Sequence, residues 1–552
     1  MEPHRVKALL VFPQFSDQSF WSLKEACEIW GARCPAPPLG LITLAALLPA
    51  HWDLRLVNRN AEELTAADLG WADLVLTGGM IPQQVDTLEV MRLCRETGVP
   101  VCVGGPAATS NPRIYEDADF LFLGEAEGTI DRFVEAWEGG ARHGRFTAPK
   151  FQADVTKSPI PRFDLLDFSH YLYIGVQFSR GCPFTCEFCD IIELYGRAPR
   201  TKTNEQMMAE LERLYELGFR GHLDFVDDNL IGNKKAIKRF LPVLAAWQKE
   251  RGYPFILSTE ASLNLADDPE LLVLMRAANF FIVFVGIESP DEETLVSAQK
   301  KQNTRRSISE SVHRINRAGM FVIAGFIIGF DTERGEVRDA MIGCVEDTAI
   351  PMAMIGLLAA LPQTQLSRRL AREGRLHLAY DDELAGAGDQ CTGGLNFRPL
   401  RPRRDILQDY RDVLERVYAP ASFFGRVRRL AGELKRPPRP SDLDWRAVVP
   451  LLRPFARVAW RMTARQPRLA RHFWSTFLHC ARTNPRALPF LTMNMATYLH
   501  LGPFSRTVIA ELDRRIAAID EGSWVEPETM AALDEPRPAR AALPGRHLTA
   551  AE

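Results

Sequence analysis

The strongest constraint on the fold of this chain is a repeated alternation of short apolar runs with helix-like segments. Over residues 1–150 the runs lack the polar alternation of half-exposed strands, and this is typical of parallel strands that are buried on both faces. We therefore predict a doubly wound, mostly parallel sheet of five strands in this region. The candidate strands are Val6–Phe12, Leu54–Val57, Leu74–Thr77, Val99–Val103 and Phe120–Leu123.

A second alternation of the same kind begins at residue 171, after a proline-containing linker at residues 151–170. A full barrel of this class has eight strands, and the sequence offers six. Residues 171–380 are therefore predicted to form a partial (β/α)6 barrel with its site at the C-terminal strand ends. The candidate strands are Tyr173–Ser179, Gly221–Val226, Pro254–Thr259, Phe281–Gly286, Phe321–Ile328 and Ala353–Leu361.

Strand patterns end near residue 380, and residues 381–524 are predicted to form a mainly helical domain. The chain has a net charge of −3, yet residues 401–490 contain 20 Lys and Arg against 7 Asp and Glu. This excess predicts either a solvated helical face or a surface for an anionic partner. The tail at residues 525–552 is rich in Ala, Pro and Arg, and we expect it to be disordered. The predicted helices are Arg404–Val417, Ser422–Glu433, Trp445–Ala464 and Pro485–Leu499.

The composition excludes several classes of protein. No apolar stretch reaches the length of about 18 residues that suggests a membrane-spanning helix, and the N-terminus lacks the pattern of a signal peptide. We therefore expect a cytoplasmic protein, and we expect no nucleic-acid partner. Seven of the ten cysteines are scattered among apolar neighbours and are expected to be buried thiols.

The remaining cysteines, Cys182, Cys186 and Cys189, share one loop directly after the first predicted barrel strand. Structural zinc has four protein ligands, so zinc fits this set only if a distant fourth ligand is supplied. Three cysteines that hold an iron–sulfur cubane leave one iron open for another ligand, which suits a catalytic cluster. The spacing therefore favours a [4Fe-4S] enzyme over a zinc site.

The CxxxCxφC pattern at this place in a partial barrel resembles the radical S-adenosylmethionine superfamily. The resemblance implies that the open iron binds the amino and carboxyl groups of S-adenosylmethionine, and that an electron from a flavodoxin- or ferredoxin-type donor generates a 5′-deoxyadenosyl radical. It also implies that Phe188 lies near the adenine. The usual Gly-Gly-Glu that binds the amino group is absent, and Asp227 or Asp228 would supply the carboxylate. The other implied contacts of S-adenosylmethionine are Glu260, Ser262, Glu288, Ser289, Arg197 and Arg200.

The N-terminal sheet followed by this barrel resembles the cobalamin-binding subgroup of the same superfamily. Ligands of such sheets bind at the C-terminal strand ends. Many cobalamin domains have a cobalt-ligating histidine where this chain has Asn58-Arg59-Asn60, so the resemblance implies cobalt without a protein nitrogen ligand. The implied cobalamin contacts are Asn58, Asn60, Thr77, Gly78, Gly104, Gly105, Gly124 and Glu125.

Two C-terminal segments, Leu395–Pro399 and Tyr410–Tyr418, resemble the branch that includes the hopanoid C-2 methylases. The resemblance implies transfer of a methyl group from methylcobalamin to an unactivated carbon of a lipid or terpenoid such as a hopanoid. A small lipid-like substrate would also explain a peripheral contact of the basic region with the inner face of the membrane. The alternatives are a radical enzyme that forms a ring or carbon–carbon bond in a lipid or tetrapyrrole without methyl transfer, and a non-enzymatic cobalamin and redox sensor.

Overall fold

A computed structural model describes residues 5–16, 19–380, 383, 391, 393–435 and 445–531. Side chains are described throughout these ranges except at residues 21 and 445–451. The proline-rich segment Arg436–Ser441, which the sequence places as a break between the predicted helices Ser422–Glu433 and Trp445–Ala464, lies outside the described residues. Within the described ranges, no helix combines the length and apolar character needed to span a bilayer.

The N-terminal sheet is parallel and has the strand order β2-β1-β3-β4-β5-β6. The doubly wound sheet is thus confirmed, but it has six strands and not the predicted five. The additional edge strand β6 has the short sequence Gly-Arg-Phe-Thr, and only Phe146 is buried in it, so it carries no apolar run. The strands are β1 Lys7–Phe12, β2 Asp53–Asn58, β3 Leu74–Gly78, β4 Val101–Gly104, β5 Phe120–Leu123 and β6 Gly144–Thr147.

Helices cover both faces of this sheet. Thr65 begins one of them with a capping box, in which its hydroxyl accepts from the Asp68 amide and the Asp68 carboxylate accepts from the Thr65 amide. The central strand β1 is the most deeply buried, with Leu9, Leu10 and Val11 at 0% exposure. The helices are α1 Lys24–Trp30, α2 Leu39–Leu47, α3 Ala66–Trp71, α4 Gln84–Thr97, α5 Gly105–Ser110 and α6 Ile130–Glu138.

The second sheet is a partial barrel of six parallel strands, in the order β14-β13-β12-β11-β10-β7, and it confirms the predicted barrel. A two-stranded antiparallel ribbon, β8 with β9, flanks the cysteine loop. The strands are β7 Ile174–Val176, β8 Ser179–Arg180, β9 Arg200–Thr201, β10 Gly221–Phe225, β11 Phe255–Glu260, β12 Phe280–Glu288, β13 Phe321–Ile328 and β14 Ala353–Leu357.

The strands of the barrel alternate between a buried outer face and an accessible inner face. In β10, Leu223 and Phe225 are fully buried, whereas His222 and Asp224 remain partly exposed on the inside. Space that solvent can enter therefore lies inside the barrel. The outer helices are α7 Ile191–Leu194, α8 Asn204–Glu216, α9 Lys234–Glu250, α10 Pro269–Ala277, α11 Glu292–Ser297, α12 Ile308–Arg317, α13 Val337–Asp347 and α14 Gln365–Arg372.

The C-terminal region is helical, as predicted, and shares a continuous hydrophobic core with the barrel. The Tyr410 hydroxyl donates to the Ile355 carbonyl of β14 at 2.8 Å. Arg426 has no exposed surface, and it donates to the carbonyls of Ile350 and Val417. The helices are α15 Arg403–Val417, α16 Pro420–Glu433, α17 Trp445–Trp460, α18 Pro467–Thr483 and α19 Leu488–Asp520, with a π-helical turn at Arg461–Arg465.

Two features of this region differ from the sequence prediction. The helix α18 was not predicted, and α19 runs through Pro503 to Asp520 and not only to Leu499. Residues 525–531 also pack on the domain, since the Met530 amide donates to the Leu376 carbonyl at 2.8 Å and Arg403 pairs with Glu526 at 2.8 Å. The rest of the predicted tail lies outside the described residues.

The C-terminal edges of the two sheets face each other. Arg180, next to the cysteine loop, pairs with Glu127 at 2.7 Å and with Glu125 at 3.1 Å, and both carboxylates follow β5. After β14, the Gln363 side chain donates to the Ser110 carbonyl of α5 at 2.6 Å. Both ligand-binding edges thus border one shared space, because ligands of such sheets lie at the C-terminal strand ends.

Candidate functional site

The three clustered cysteines lie in the loop between β8 and α7. The loop begins at Gly181, whose φ of +98° is in the left-handed region. A Cβ atom at this position would lie 3.0 Å from the carbonyl oxygens of Gly196 and Ala198. The loop is closed by the Cys182 amide, which donates to the Gly196 carbonyl at 3.1 Å. Only glycine fits this turn, and it sets the direction of the cysteines that follow.

The surroundings of the sulfur atoms suit bound thiolates. Burial raises the pKa of the Cys182 and Cys189 thiols, so these groups need a metal or hydrogen-bond donors to become thiolates. Two side-chain amides supply such donors: Asn229 Nδ2 lies 3.9 Å from Cys182 Sγ, and Gln302 Nε2 lies 3.4 Å from Cys186 Sγ.

Over the described residues, no three His, Cys, Asp or Glu side chains converge closely enough to hold a single metal ion. Tetrahedral zinc requires such convergence. A cubane places each thiolate on a different iron, and its sulfur ligands lie farther apart. Three cysteines on one loop supply one ligand fewer than structural zinc takes, so the donor set fits an iron–sulfur cluster that keeps one iron open.

Lys300 brings a positive charge to the same loop, and the sequence analysis did not identify it. Its Nζ lies 2.7 Å from Glu288 Oε1 and 5.9 Å from the centroid of the Phe188 ring. Burial opposes its charge, but Glu288, Cys186 and Cys189 outweigh burial and raise the pKa of Lys300. A Cβ at position 286 would lie 2.2 Å from Glu288 Oε1 and 2.7 Å from Lys300 Nζ, so a larger residue there would displace the pair.

The two aspartates after β10 hold the segment that leads into the cysteine loop. The Asp227 carboxylate accepts from the amides of Phe178 and Ser179, and also from the Ser179 hydroxyl. Asp228 accepts from the Gly181 amide at 2.7 Å through Oδ2, and its Oδ1 has no hydrogen-bond partner among the described residues. Burial raises the pKa of Asp227 to about 7 and that of Asp228 to about 6. Of the two, only Asp228 keeps a free oxygen for an amino group.

Glu260 and Ser262 lie at the end of β11, on the same side of the barrel. Glu260 lines the barrel interior, and this enclosed setting, together with the charges of Asp224 and Asp228, raises its pKa to about 8. Ser262 exchanges hydrogen bonds with Asn229 at 3.2 Å and thereby orients the amide that faces Cys182. Both residues therefore belong to the neighbourhood of the cysteines.

Three other residues predicted to contact S-adenosylmethionine are either exposed or bonded to other residues. Arg197 is exposed and donates to the Pro183 carbonyl at 3.4 Å. Arg200 pairs with Glu125 at 2.8 Å, and so it ties the barrel to the N-terminal sheet. Ser289 is fully buried, and its hydroxyl accepts from the Asp291 amide.

The N-terminal sheet has the strand order in which ligands bind at the switch point between β1 and β3. Thr77 and Gly78 lie at this point. A Cβ on Gly78 would lie 2.2 Å from the Gly104 carbonyl oxygen, and Gly105 has a φ of +86°. These glycines are thus required by the contact between two strand-end turns, whether or not a ligand is bound.

The other residues predicted to contact cobalamin at the N-terminal sheet form hydrogen bonds or ion pairs with neighbouring residues. Asn58 is buried and donates to the Tyr171 hydroxyl at 3.4 Å, and Asn60 donates to the Pro13 carbonyl at 3.0 Å. Glu125 is held by the two barrel arginines, and the amide of Gly124 donates to the Thr109 hydroxyl. The Asn58-Arg59-Asn60 segment contains no histidine, so this segment would supply no imidazole to the metal of a bound cobalamin.

Comparison with known proteins agrees with this geometry. Residues 176–342 match the family model of the radical SAM superfamily, and residues 364–514 match a domain of unknown function, DUF4070. The chain is 45% identical over 482 residues to an uncharacterized methyltransferase of Synechocystis, covering 87% of this chain and 88% of that protein.

The hopanoid C-2 methylase of Rhodopseudomonas palustris is 38% identical over 429 residues, which cover 76% of this chain and 78% of the methylase. Among solved structures, the cobalamin-dependent radical enzyme OxsB, bound to aqua-cobalamin and S-adenosylmethionine, superimposes with a TM-score of 0.57 at 13% identity. That match covers 95% of this chain and 82% of OxsB, and it supports the fold. The chain therefore belongs to the radical S-adenosylmethionine superfamily and, within it, to the iron–sulfur methyltransferases that include the hopanoid C-2 methylase.

Proposed function

We propose that this protein is a cobalamin-dependent C-methyltransferase that acts on an unactivated carbon of a polycyclic lipid such as a hopanoid. The observation that carries the proposal is the 38% identity to the hopanoid C-2 methylase, which extends over 76% of the chain. The fold likeness to a cobalamin-dependent radical enzyme supports the cobalamin part. The space between the two facing sheet edges is where the two cofactors would meet.

The chain's own residues have separate tasks in this proposal. When bound, the cluster, S-adenosylmethionine and cobalamin supply the radical and the methyl group. Cys182, Cys186 and Cys189 would hold the cluster, and the amides of Asn229 and Gln302 would stabilise their thiolates.

Other residues would position the cosubstrate and close the reaction space. The free oxygen of Asp228 and the carboxyl of Glu260 face the end of the barrel where S-adenosylmethionine would bind. The ion pairs of Arg180 with Glu125 and Glu127 would keep the two sheet edges together and exclude water. The electron donor in this proposal is a flavodoxin- or ferredoxin-type protein.

Access to a water-insoluble substrate would come from an exposed face of α17 and α18. Four large apolar side chains are exposed there, and the guanidinium of Arg465 lies 5.0 Å from the Trp460 ring centroid. Apolar side chains mixed with arginines suit the headgroup region of an anionic membrane. The apolar residues are Leu452, Trp460, Trp474 and Leu478, and the exposed arginines are Arg453, Arg465, Arg468, Arg471 and Arg482.

Several arginines of the basic region do not belong to this face. Arg426 is buried, and Arg429 pairs with Glu346. Arg457 donates to the Ile29 carbonyl and Arg461 pairs with Glu28, so both contact α1. The membrane-binding face is thus smaller than the charge count suggests.

Mass spectrometry of lipids tests the proposed function. The gene would be expressed in a hopanoid-producing host that lacks its own C-2 methylase, and lipids would be compared with those of the empty host. We expect hopanoids heavier by one CH₂ unit. A new product without added CH₂ would favour the ring-forming alternative, and unchanged lipids from a host that makes the active holoenzyme would refute the lipid substrate.

The cobalamin part has its own test. Because the Asn58-Arg59-Asn60 segment offers no histidine, the electron paramagnetic resonance spectrum of the protein-bound cobalt(II) form should not change when the protein's histidines are labelled with a heavier nitrogen isotope. A nitrogen splitting that changes on this labelling would contradict the assignment of the lower face, and failure to retain cobalamin on gel filtration would contradict binding itself.

A further inference from the structure

A polar wall inside the barrel is not used by the proposed cluster or cosubstrate contacts. It consists of Tyr173, which directly precedes β7, His222 and Asp224 of β10, and Ser258 of β11, and these three strands are neighbours in the sheet. The register pairs Leu223 with Ile174 and Asp224 with Ser258, so these residues are adjacent on the sheet. His222 and Asp224 are two residues apart in β10 and therefore point to the same face, which is the interior.

Three of these side chains form a hydrogen-bonded chain. His222 Nε2 lies 2.6 Å from Ser258 Oγ, and Ser258 Oγ donates to Asp224 Oδ1 at 2.5 Å. The Ser258 hydroxyl hydrogen is used in the bond to Asp224, so Ser258 Oγ must accept the hydrogen bond from His222 Nε2. His222 then carries its hydrogen on Nε2, and its Nδ1 keeps a lone pair that can accept a hydrogen bond. Burial lowers the pKa of His222 to about 4, so the ring is neutral at physiological pH.

Two polar atoms of this wall have no protein partner. Among the described residues, neither the Tyr173 hydroxyl nor His222 Nδ1 has a hydrogen-bond partner, although the two rings are 5.3 Å apart. One atom is a donor and the other an acceptor. Polar groups inside a protein are costly unless water or a ligand satisfies them.

The opposite wall of the interior is apolar. The inward positions of β12, β13 and β14 include Phe284, Ile323 and Met354, and each keeps some exposure to the interior. At the N-terminal end, the Phe281 ring lies 4.3 Å from Phe490 of α19, which covers this end of the barrel, and 6.2 Å from His222. The interior therefore has a polar wall facing an apolar wall.

We propose that the polar wall binds an uncharged hydroxyl group of the substrate, while the apolar body of the substrate lies against the opposite wall. A hydroxyl can donate to His222 Nδ1 and accept from Tyr173, so it satisfies both unpartnered atoms at once. An anionic group would be repelled by Asp224, and a pure hydrocarbon would leave both atoms unpaired. The inference rests on the proposed lipid methyltransferase and adds that its substrate is hydroxylated.

The test compares two probe lipids: a pentacyclic triterpene hydrocarbon and the same skeleton with a hydroxylated side chain. KM and kcat would be measured on the reconstituted enzyme, and equilibrium binding of both lipids would be measured in detergent micelles. The hydroxylated lipid should bind roughly tenfold more tightly to the wild type, as expected for a net gain of about one to two hydrogen bonds. Equal binding of the two lipids would overturn the inference.

Variants locate the effect. Tyr173→Phe removes only a hydroxyl without a protein partner, and it should raise KM and the dissociation constant for the hydroxylated lipid several-fold while leaving the hydrocarbon unaffected. Ser258→Ala should likewise weaken the binding of the hydroxylated lipid and not that of the hydrocarbon. The matched control is Tyr115→Phe, because the Tyr115 hydroxyl is also without a partner but is buried in the N-terminal domain. If Tyr173→Phe and Ser258→Ala weakened the binding of both lipids by the same factor, the two residues would have a structural role and the proposal would be refuted.

The two proposals fail in different ways. If the wild type binds the hydroxylated lipid selectively through Tyr173 but methylates neither probe, the proposed reaction is wrong and the hydroxyl site stands. If both probes are methylated with the same KM, the reaction stands and the hydroxyl site is wrong.

Discussion

At the scale of single residues, the cysteines provide the most direct test. Replacing Cys182, Cys186 and Cys189 together with alanine should remove nearly all iron and all deoxyadenosine formation, because these thiols are the proposed cluster ligands. The controls are Cys94→Ala and Cys344→Ala: burial raises the pKa of both thiols to about 12, which is typical of inert core cysteines. Iron per protein is the measurement, and its loss in either control would contradict the assignment.

Glu260 should make stability depend on pH. Its pKa is about 8 in the fold, above the value of about 4.3 of a free side chain, so the folded state binds the extra proton. The contribution of Glu260 to stability therefore falls as pH rises from about 4 to 8. Glu260→Gln should have a higher Tm than the wild type at pH 9 and little difference at pH 5. An equal Tm difference between variant and wild type at both pH values would contradict this prediction. The control is Glu63→Gln, because Glu63 is exposed on the surface.

At the scale of elements, the cysteine loop depends on the turn at Gly181. Gly181→Ala would combine an unfavourable φ of +98° with contacts of 3.0 Å to two carbonyl oxygens. Gly218→Ala is the matched control, because Gly218 has a φ of +85° and no atom within 4 Å of the added Cβ. Both should lose about 1 kcal/mol of stability to the backbone strain, but only Gly181→Ala should also lose cluster. Iron content and urea unfolding measure the two effects, and normal iron in Gly181→Ala would contradict the role of the turn.

Apolar runs in the sequence predicted most of the strands, because a strand that is buried on both faces has apolar residues at nearly every position. The strand β6 escaped detection because an edge strand with one buried residue has no such run. The C-terminal helix α19 was cut short in the prediction at Leu499. Its continuation through Pro503 packs against neighbours, since Arg411 pairs with Asp513 at 2.8 Å and Arg404 pairs with Asp520 at 2.9 Å.

At the scale of the whole molecule, the exposed face of α17 and α18 should bind anionic vesicles. The protein is expected to float with liposomes that contain anionic lipid and to be released as salt rises, because such attraction is screened beyond about 10 Å at 0.1 M salt. The double variant Trp460→Ser with Leu478→Ser should float several-fold less. The matched control is Val273→Ser, since Val273 is 68% exposed on α10, away from this face. Absence of flotation by the wild type at low salt would rule out the membrane contact.

The sequence by itself determined the two parallel sheets, the partial barrel and the cysteine loop, because these depend on local periodicity and on spacing within one short segment. The tertiary structure decided which distant side chains meet that loop. Gln302 reaches Cys186 across 116 residues, and Lys300 pairs with Glu288 at the end of β12, where the register with β13 shifts. It also decided the polar wall, since strand register alone brings His222 and Asp224 beside Ser258. Register and long-range packing arise from the whole set of contacts in the folded chain, and a local pattern carries no record of them.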